Sequence, residues 1–564
     1  VQGIFYDMSG FFGYCVCNDC KAGFYKDTGL EIPVKEDWKS PAWRKYIEWR
    51  YSETEQILCE RRNAIKRIDP ALVHSHNYHG NFYHYYILSH DTIDAHRYAD
   101  YFSTETSPWP QHFGLYGCSQ AAGFARDAAC GKPYEVVGSR YATGHDFTEK
   151  PLSEMMMDGY SAAAHNCPYV IIDGANWDGL PDERDFDAIS SVFGRIKSIE
   201  PWVLDSTPVD FTGLVFSRKS ADMYADEDKN RIITEMNGFY KTCIEKHIPV
   251  GYIFDQTITC ENLSKYSVVV LPDTAVLSDS QCEIIREYVW AGGGLVATHN
   301  TSLIEASGNL RNNFLLSDLF GCDVNGLPSD DITWIMDVEN GVPCQTGLTF
   351  GKGRVLVGDR PTYVPVKARS GAEVVAERYC APFGRPEGVN HTSHSEPPYK
   401  RTLEPIVIAN NYGAGRCVYI AARMAAAYVK YGYSIIREFL SNSMIWAAGK
   451  GLPIITDAPM SVQTVLSRQS DRYILHLLNY SCRPPLPISV ADFPESSLGA
   501  MKKSAVVYDE IISLKELCFR MKAEKTPGKV YKVPSGKEID FDVKDGWISF
   551  KMDELNDAAT ICIE

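Results

Sequence analysis

The run Val1-Gln-Gly-Ile-Phe-Tyr-Asp7 decides how the rest of the chain is read. Its apolar residues read as a buried strand, and the strand closes on a carboxylate. A chain seldom begins inside a core strand, so sequence upstream is expected to belong to the same unit. This N-terminus therefore carries no targeting information. Working outward, apolar strands are expected near 4–7, 71–76, 98–105, 134–139 and 168–173. Helical stretches separate them. The stretch 43–68 carries Tyr46, Trp49, Ile57 and Ile65 among charges and stops before Asp69-Pro70. Further helices are expected over 119–129, 153–164 and 186–199.

Alternating βα units with nearly all-apolar strands imply a parallel sheet covered by helices. Five strands are countable. They are read as the last five strands of a partial (β/α)8 TIM barrel, whose active site would form at the C-terminal strand ends. An open five-stranded sheet is the alternative. The barrel is preferred because polar groups end nearly every strand.

Composition bounds the rest. The 564 residues carry a formal charge of −16, with 45% hydrophobic and 23% charged residues. This is an ordinary folded composition with room for three or four domains. The acidic balance argues against a nucleic-acid partner, which needs clustered Lys and Arg. No apolar run reaches the roughly 20 residues that span a bilayer, so no membrane partner is expected. Tyr, Phe and Trp make up 12%; such residues serve ring-shaped ligands but also build cores.

The strand ends concentrate chemistry. The second ends in His74-Ser-His76-Asn77-Tyr78-His79, the third in Thr104-Glu105-Thr106 before Pro108-Trp109, and the last at Asp173 before Asn176-Trp177. Seven of the 14 His fall between 74 and 112. Carboxylates beside imidazoles, amides and aromatic rings suit a sugar site. Glycoside hydrolysis needs two carboxylates, one nucleophile or base and one general acid. Asp7 and Glu105 are the best pair. Asp7 is assigned as nucleophile and Glu105 as acid/base, with Tyr6, His74, His76, Asn77, His79, Trp109, Asp173 and Trp177 as substrate binders. The structural alternatives are that Asp7 caps a helix and that Glu105 pairs with Arg97, Arg126 or Arg140. His74-x-His76 alternates on a strand, so both rings share a face, and a His/carboxylate metallohydrolase site is a further reading.

Of 17 Cys, three crowd into Cys15-Val-Cys17-Asn-Asp-Cys20. Three thiols so close can surround one Zn²⁺ as a structural site, with a fourth ligand not evident. Free thiols in a tight loop, or a disulfide, are the other readings.

Gly3-Ile-Phe-Tyr-Asp7, the cysteine triplet, Phe24, Asp27-Thr-Gly29-Leu-Glu-Ile-Pro33, Trp38, Trp43-Arg44-x-Tyr46 and Trp49-Arg50 together resemble the hypothetical glycosyl hydrolase 6 group. That group is related to family 42 β-galactosidases and similar to family 151 α-L-fucosidases. The resemblance covers residues 1 to about 450. It implies that Asp7 ends the fourth barrel strand and that Cys15, Cys17 and Cys20 bind zinc with an upstream Cys. The chain departs from family 42, whose fourth strand ends in Asn-Glu; here it ends in Tyr6-Asp7. No Glu follows the 134–139 strand, where family 42 keeps its nucleophile. An Asp ending the fourth strand, as Asp7 does, resembles the retaining α-L-fucosidases, where it is the nucleophile. Retention would set the two carboxyls about 5–5.5 Å apart. The expected activity is that of a retaining exo-glycoside hydrolase acting on an oligosaccharide or glycoside. A family 42 type β-galactosidase and an inactive sugar-binding scaffold are the alternatives. No cofactor is expected for catalysis.

A second α/β pattern starts after Glu200-Pro201-Trp202, with strands at 213–217, 250–254, 267–271 and 295–298 and helices at 232–246 and 278–290. Gly292-Gly-Gly294 follows a helix and precedes a strand, the reverse of a phosphate loop, and is read as a helix cap and turn. A strand at 416–420 and a helix at 433–446 complete this open, flavodoxin-like unit. It resembles the family 42 trimerisation domain, an amidotransferase-like fold. His299-Asn300 and Thr274 stand where an amidotransferase would need Cys, so no glutaminase activity is expected. The resemblance implies a homo-oligomer, trimer or dimer. From about 453, strands at 462–466, 473–478, 505–508 and 547–552 predict a C-terminal β-sandwich. The expected domains are therefore 1–203, 204–452 and 453–564.

Overall fold

A computed structural model describes residues 3–6, 14–38, 40–77, 90–106, 114–141, 149–174, 178–180, 183, 186–224, 231–328, 333–337, 348, 355–357, 363–380, 400–482 and 509–564. Asp7, His79, Trp109, Trp177 and the strand expected at 505–508 lie outside these.

Five parallel strands open the chain: β1 (Gly3–Tyr6), β2 (Val73–His76), β3 (Phe102–Glu105), β4 (Tyr134–Ser139) and β5 (Tyr169–Ile172). β1 pairs with β2 and sets Tyr6 opposite His76. β3, β4 and β5 form a second ladder. The two are bridged where the Asp100 amide donates to the His74 carbonyl at 2.9 Å and Ser75 Oγ donates to the Tyr101 carbonyl at 2.6 Å. Strand order thus follows chain order, without the reversal that marks an open doubly wound sheet. β3 begins later than expected because Tyr98–Asp100 turns to hold His74.

The helices are α1 (Asn18–Thr28), α2 (Pro41–Ile68), α3 (Thr92–His96), α4 (Gly117–Ala128), α5 (Leu152–Ala164) and α6 (Phe186–Ile199). Pro41 occupies the first turn of α2, where its missing N–H costs nothing. The buried stripe Trp43, Ile47, Tyr51, Thr54, Leu58 and Ile65 lies along one face. Phe24, Trp38, Trp43, Tyr46 and Trp49 pack ring against ring beside it. Much of the aromatic content is therefore core. α1 and α3 were not expected; α3 is too short to show a period, and α1 buries only Phe24.

The second unit begins with β6 (Thr207–Pro208), β7 (Thr212–Phe216), α7 (Arg218–Tyr224), α8 (Arg231–Glu245), β8 (Val250–Phe254), β9 (Val268–Leu271) and β10 (Gly294–Thr298). Its parallel core runs β8-β7-β9-β10 and then Gly415–Ile420, and antiparallel strands extend one edge to nine strands. Ser278 caps the helix Asp279–Trp290 in a reciprocal box with Gln281. Gly292 has φ +109°, so the triple glycine is a turn as read.

α8 packs closely on the helix Met424–Tyr431, where a Cβ on Gly238 would collide with the Ala425 backbone. Gly238→Ala should therefore lower the melting temperature. The collision, costing roughly 1–3 kcal/mol as overpacking, outweighs the ~1 kcal/mol that alanine gains in a helix. A raised melting temperature would contradict this contact.

Two antiparallel sheets end the chain, one of four strands and one of six. They share a core of Leu475, Leu477, Phe519, Phe550, Ile561 and neighbours. β6 joins the six-stranded sheet, with Pro208 opposite Ser467. The main hydrophobic core does not break at 203; it runs continuously from Phe24 to Ala448. A further cluster unites Met157, Tyr160 and Val203 with Ile474, Leu478 and Cys562. Among the described residues, no helix is long and apolar enough to cross a membrane.

Candidate active site

The C-terminal ends of β2 to β5 bring four positions into a row: Asn77, Glu105, Arg140 with Tyr141, and Asp173. Asn77 Nδ2 donates to Glu105 Oε1 at 2.8 Å. Glu105 is half-buried, and none of the three arginines weighed as its partner pairs with it. Arg97 is held by Asp94 and Glu55, Arg126 by Asp127 and Asp210, and Arg140 by Asp173 and Glu149. Among the described residues, Glu105 is thus a carboxyl at a strand end with one amide donor and no cation.

Asp173 is differently placed. Arg140 Nε donates to its Oδ1 at 2.8 Å and the Tyr141 hydroxyl donates at 3.1 Å. Arg140 also donates to Glu149 at 3.1 Å and packs over the Tyr141 ring at 4.4 Å. The guanidinium is almost fully buried, so it fixes a positive charge at the end of β4. Sequence reading named Asp173, gave Arg140 only as a possible partner of Glu105, and missed Tyr141. The signal was an arginine directly after an apolar strand.

Tyr6, His74 and His76 were expected to face sugar, and the structure sets them elsewhere. Arg61 of α2 lies over the Tyr6 ring at 4.8 Å, and Tyr6 stacks on His76 at 5.8 Å. His74 Nδ1 lies 2.9 Å from Asp100 and Nε2 2.6 Å from the Tyr98 carbonyl, while Lys66 of α2 binds the same Asp100. All three side chains therefore point at the helix layer. The physical reason is strand alternation: Tyr6, His74 and His76 share one face, and the opposite face carries Ser75 and Asn77. Burial pushes the His76 pKa down to about 3 and that of His96 to about 4. These imidazoles are neutral core groups. Among the described residues, His74 and His76 form no three-ligand set with Glu105; Asp7, the other carboxylate of that reading, lies outside them.

The cysteines do converge. The Cys15, Cys17 and Cys20 sulfurs lie within 4.8 Å of one another, and no fourth His, Cys or carboxylate joins them among the described residues. The Cys15 N–H donates to the Tyr46 hydroxyl at 2.8 Å, which pins this turn to α2.

Residues 211–337 match the family model of the β-galactosidase trimerisation domain. No curated sequence matches the chain significantly. Among solved structures, the chain is similar to α-L-fucosidase isoenzyme 2 from Paenibacillus thiaminolyticus. The TM-score is 0.72 at 19% identity, over 100% of this chain and 77% of that one. The β-galactosidase from Bacillus circulans sp. alkalophilus gives a TM-score of 0.67 at 15% identity, over 98% and 78%. The β-galactosidase from Rahnella sp. R3 gives 0.63 at 17%, over 84% and 72%. The mixed α/β architecture is therefore that of these proteins.

Proposed function

We propose that the chain is a glycoside hydrolase, of retaining exo-acting type and α-L-fucosidase-like, with Asp7 as nucleophile and Glu105 as acid/base. The five parallel strands in chain order are read as part of a (β/α)8 barrel wall, which puts Glu105 at its C-terminal mouth; Asp7 is the residue that follows β1 in sequence. The observation that carries the reading is Glu105: a half-buried carboxyl, paired with none of Arg97, Arg126 and Arg140, and oriented by the Asn77 amide. In the first step its proton goes to the leaving oxygen as Asp7 attacks the anomeric carbon. In the second the Glu105 carboxylate takes a proton from water, which attacks the same carbon and releases Asp7. The Asn77 N–H holds the carboxyl in place.

Arg140 favours this pair over that of family 42. The end of β4 is where a family 42 nucleophile would stand, and here a buried cation occupies it and claims Asp173. His79, Trp109 and Trp177 remain proposed sugar contacts. Cys15, Cys17 and Cys20 fit three thiolate ligands of a structural zinc, which would hold the start of α1 against α2. The domain spanning 211–337 is proposed to assemble the chain into a homo-oligomer.

A panel of 4-nitrophenyl α-L-fucoside, β-D-galactoside and α-L-arabinoside tests the assignment. Turnover is expected, fastest on the fucoside and with retained configuration by NMR. Asp7→Asn should lower it by about 10³-fold or more, as loss of a covalent nucleophile does. No turnover by the wild type would leave the inactive scaffold standing; full activity in Asp7→Asn would remove the nucleophile.

A further inference from the structure

A cleft of about 740 Å³ lies where three segments meet: the end of α4, the connector at 207–210 and residues 252–266 of the second unit. It sits at the other end of the β3 ladder from Glu105. The turn after α4 is held at the start of β3, where the Phe102 N–H donates to the Pro133 carbonyl at 2.8 Å and Lys132 Nζ to the Ala99 carbonyl at 2.7 Å. Glu105 ends the same strand. The floor of the cleft is fixed. Arg126 donates to Asp127 through Nε at 2.8 Å and Nη2 at 2.9 Å, and Nη2 also reaches Asp210 Oδ2 at 2.8 Å. The Tyr252 amide donates to Asp127 at 2.7 Å. Gly251 lets Asp210 lie this close, because a Cβ there would stand 2.5 Å from its Oδ2. Two polar groups of the floor are left over. Among the described residues, Asp210 Oδ1 and the Tyr266 hydroxyl have no hydrogen-bond partner, and both residues line the cleft.

The charges select the ligand. Arg126 and Lys265 alternate around the cleft with Asp127, Asp210 and Glu261. An anion would meet three carboxylates, and a cation would meet a guanidinium and an ammonium, so neither sign is favoured. The remaining lining is rich in hydroxyls and amides, from Thr207, Thr257, Thr259 and Asn262. A neutral ligand dense in hydroxyls fits this set, because each O–H both donates and accepts. The volume lies within the roughly 300–1,000 Å³ of pockets for ligands of a few rings, and such pockets favour domain junctions. We propose that this cleft is a second carbohydrate site, which binds a neutral disaccharide apart from the catalytic mouth. Asp210 and the Tyr266 hydroxyl take sugar hydroxyls at the floor, and Lys265 and Asn262 take them at the rim. A bound sugar touches all three segments and so ties the first unit to the second.

Amide hydrogen exchange of the full chain, read by peptide mass, tests the site with S-linked lactose, whose sulfur bridge resists hydrolysis. Peptides covering 126–132 and 256–266 should exchange up to about tenfold more slowly at ten times the dissociation constant, as mass action requires. Lys265→Trp places a ring at the exposed rim, where it should fold normally, fill the cleft and abolish that protection. Asp210→Asn should weaken it at unchanged volume. Protection confined to the strand ends near 105 and 173, or kept in full by Lys265→Trp, would overturn the proposal. Protection of the cleft peptides by spermidine or citrate in place of the sugar would overturn the neutral class of ligand. The readout is local exchange, so it stands apart from whether the chain cleaves glycosides.

Discussion

Glu105→Ala is expected to reduce turnover of 4-nitrophenyl glycosides by about 10²–10⁴-fold, the usual worth of a positioned proton donor and acceptor. The loss should depend on the leaving group. A dinitrophenyl glycoside departs without protonation, so its first step should be nearly normal and a glycosyl-enzyme should accumulate. Added azide needs no base, and should restore turnover and yield a glycosyl azide of retained configuration. Asn77→Ala should show the same signature more weakly, because it removes only the group that orients Glu105 through a 2.8 Å hydrogen bond. Unchanged activity in Glu105→Ala, with no azide effect, would transfer the acid/base role elsewhere.

The second large effect is on stability in acid. His476 lies in the core of the C-terminal sheets, fully buried, with Nδ1 2.8 Å from Thr560 Oγ1. Burial alone lowers its pKa from 6.5 to about 3. A base whose folded pKa is depressed is protonated in the unfolded chain first. Its contribution is therefore intact above pH 6.5 and is lost progressively as pH falls toward 3. The shift corresponds to roughly 5 kcal/mol across that window, at about 1.4 kcal/mol per pH unit. Buried His165, His247 and His299 shift the same way, each mainly through desolvation. Asp210 and Asp222, raised to about 6, and Glu235, raised to about 7, oppose the trend because the native state takes up their protons first. The test therefore compares wild type with His476→Gln by thermal unfolding from pH 7 to 4.5. The variant's stability should fall by one proton's slope less. Parallel curves would contradict the buried neutral imidazole.

Period and punctuation in the sequence were enough to place most elements. Phe186–Ile199 and Tyr134–Ser139 match their expected bounds, and α2 differs by two residues at its start. The same pattern showed that His74 and His76 share a face. It did not show which face, because a parallel strand covered on both sides has no polar side to mark solvent. Only the contacts with Arg61, Lys66 and Asp100 decide it, and they depend on how α2 and the turn before β3 pack on the strands. Glu105 and Asn77 were legible because a polar residue ending an apolar strand has few structural uses. Arg140 was read only as a possible partner of Glu105, because its actual partners, Asp173 and the exposed Glu149, meet it only in the fold. Asp210 and Arg126 likewise meet across 84 positions.

β6 is two residues long, yet it lies beside a strand more than 250 positions later, and Tyr160 bonds Thr560 through its hydroxyl at 2.6 Å. On the ribosome these early segments emerge with nothing to pair with. The α5 and α6 region keeps an unfinished apolar surface until the last residues of the chain have left the exit tunnel. A nonsense mutation anywhere in the final hundred residues should therefore damage more than the terminal sheets. It would strand the first third of the molecule half-assembled, a target for chaperones and proteases, although every residue proposed for catalysis had already been synthesised.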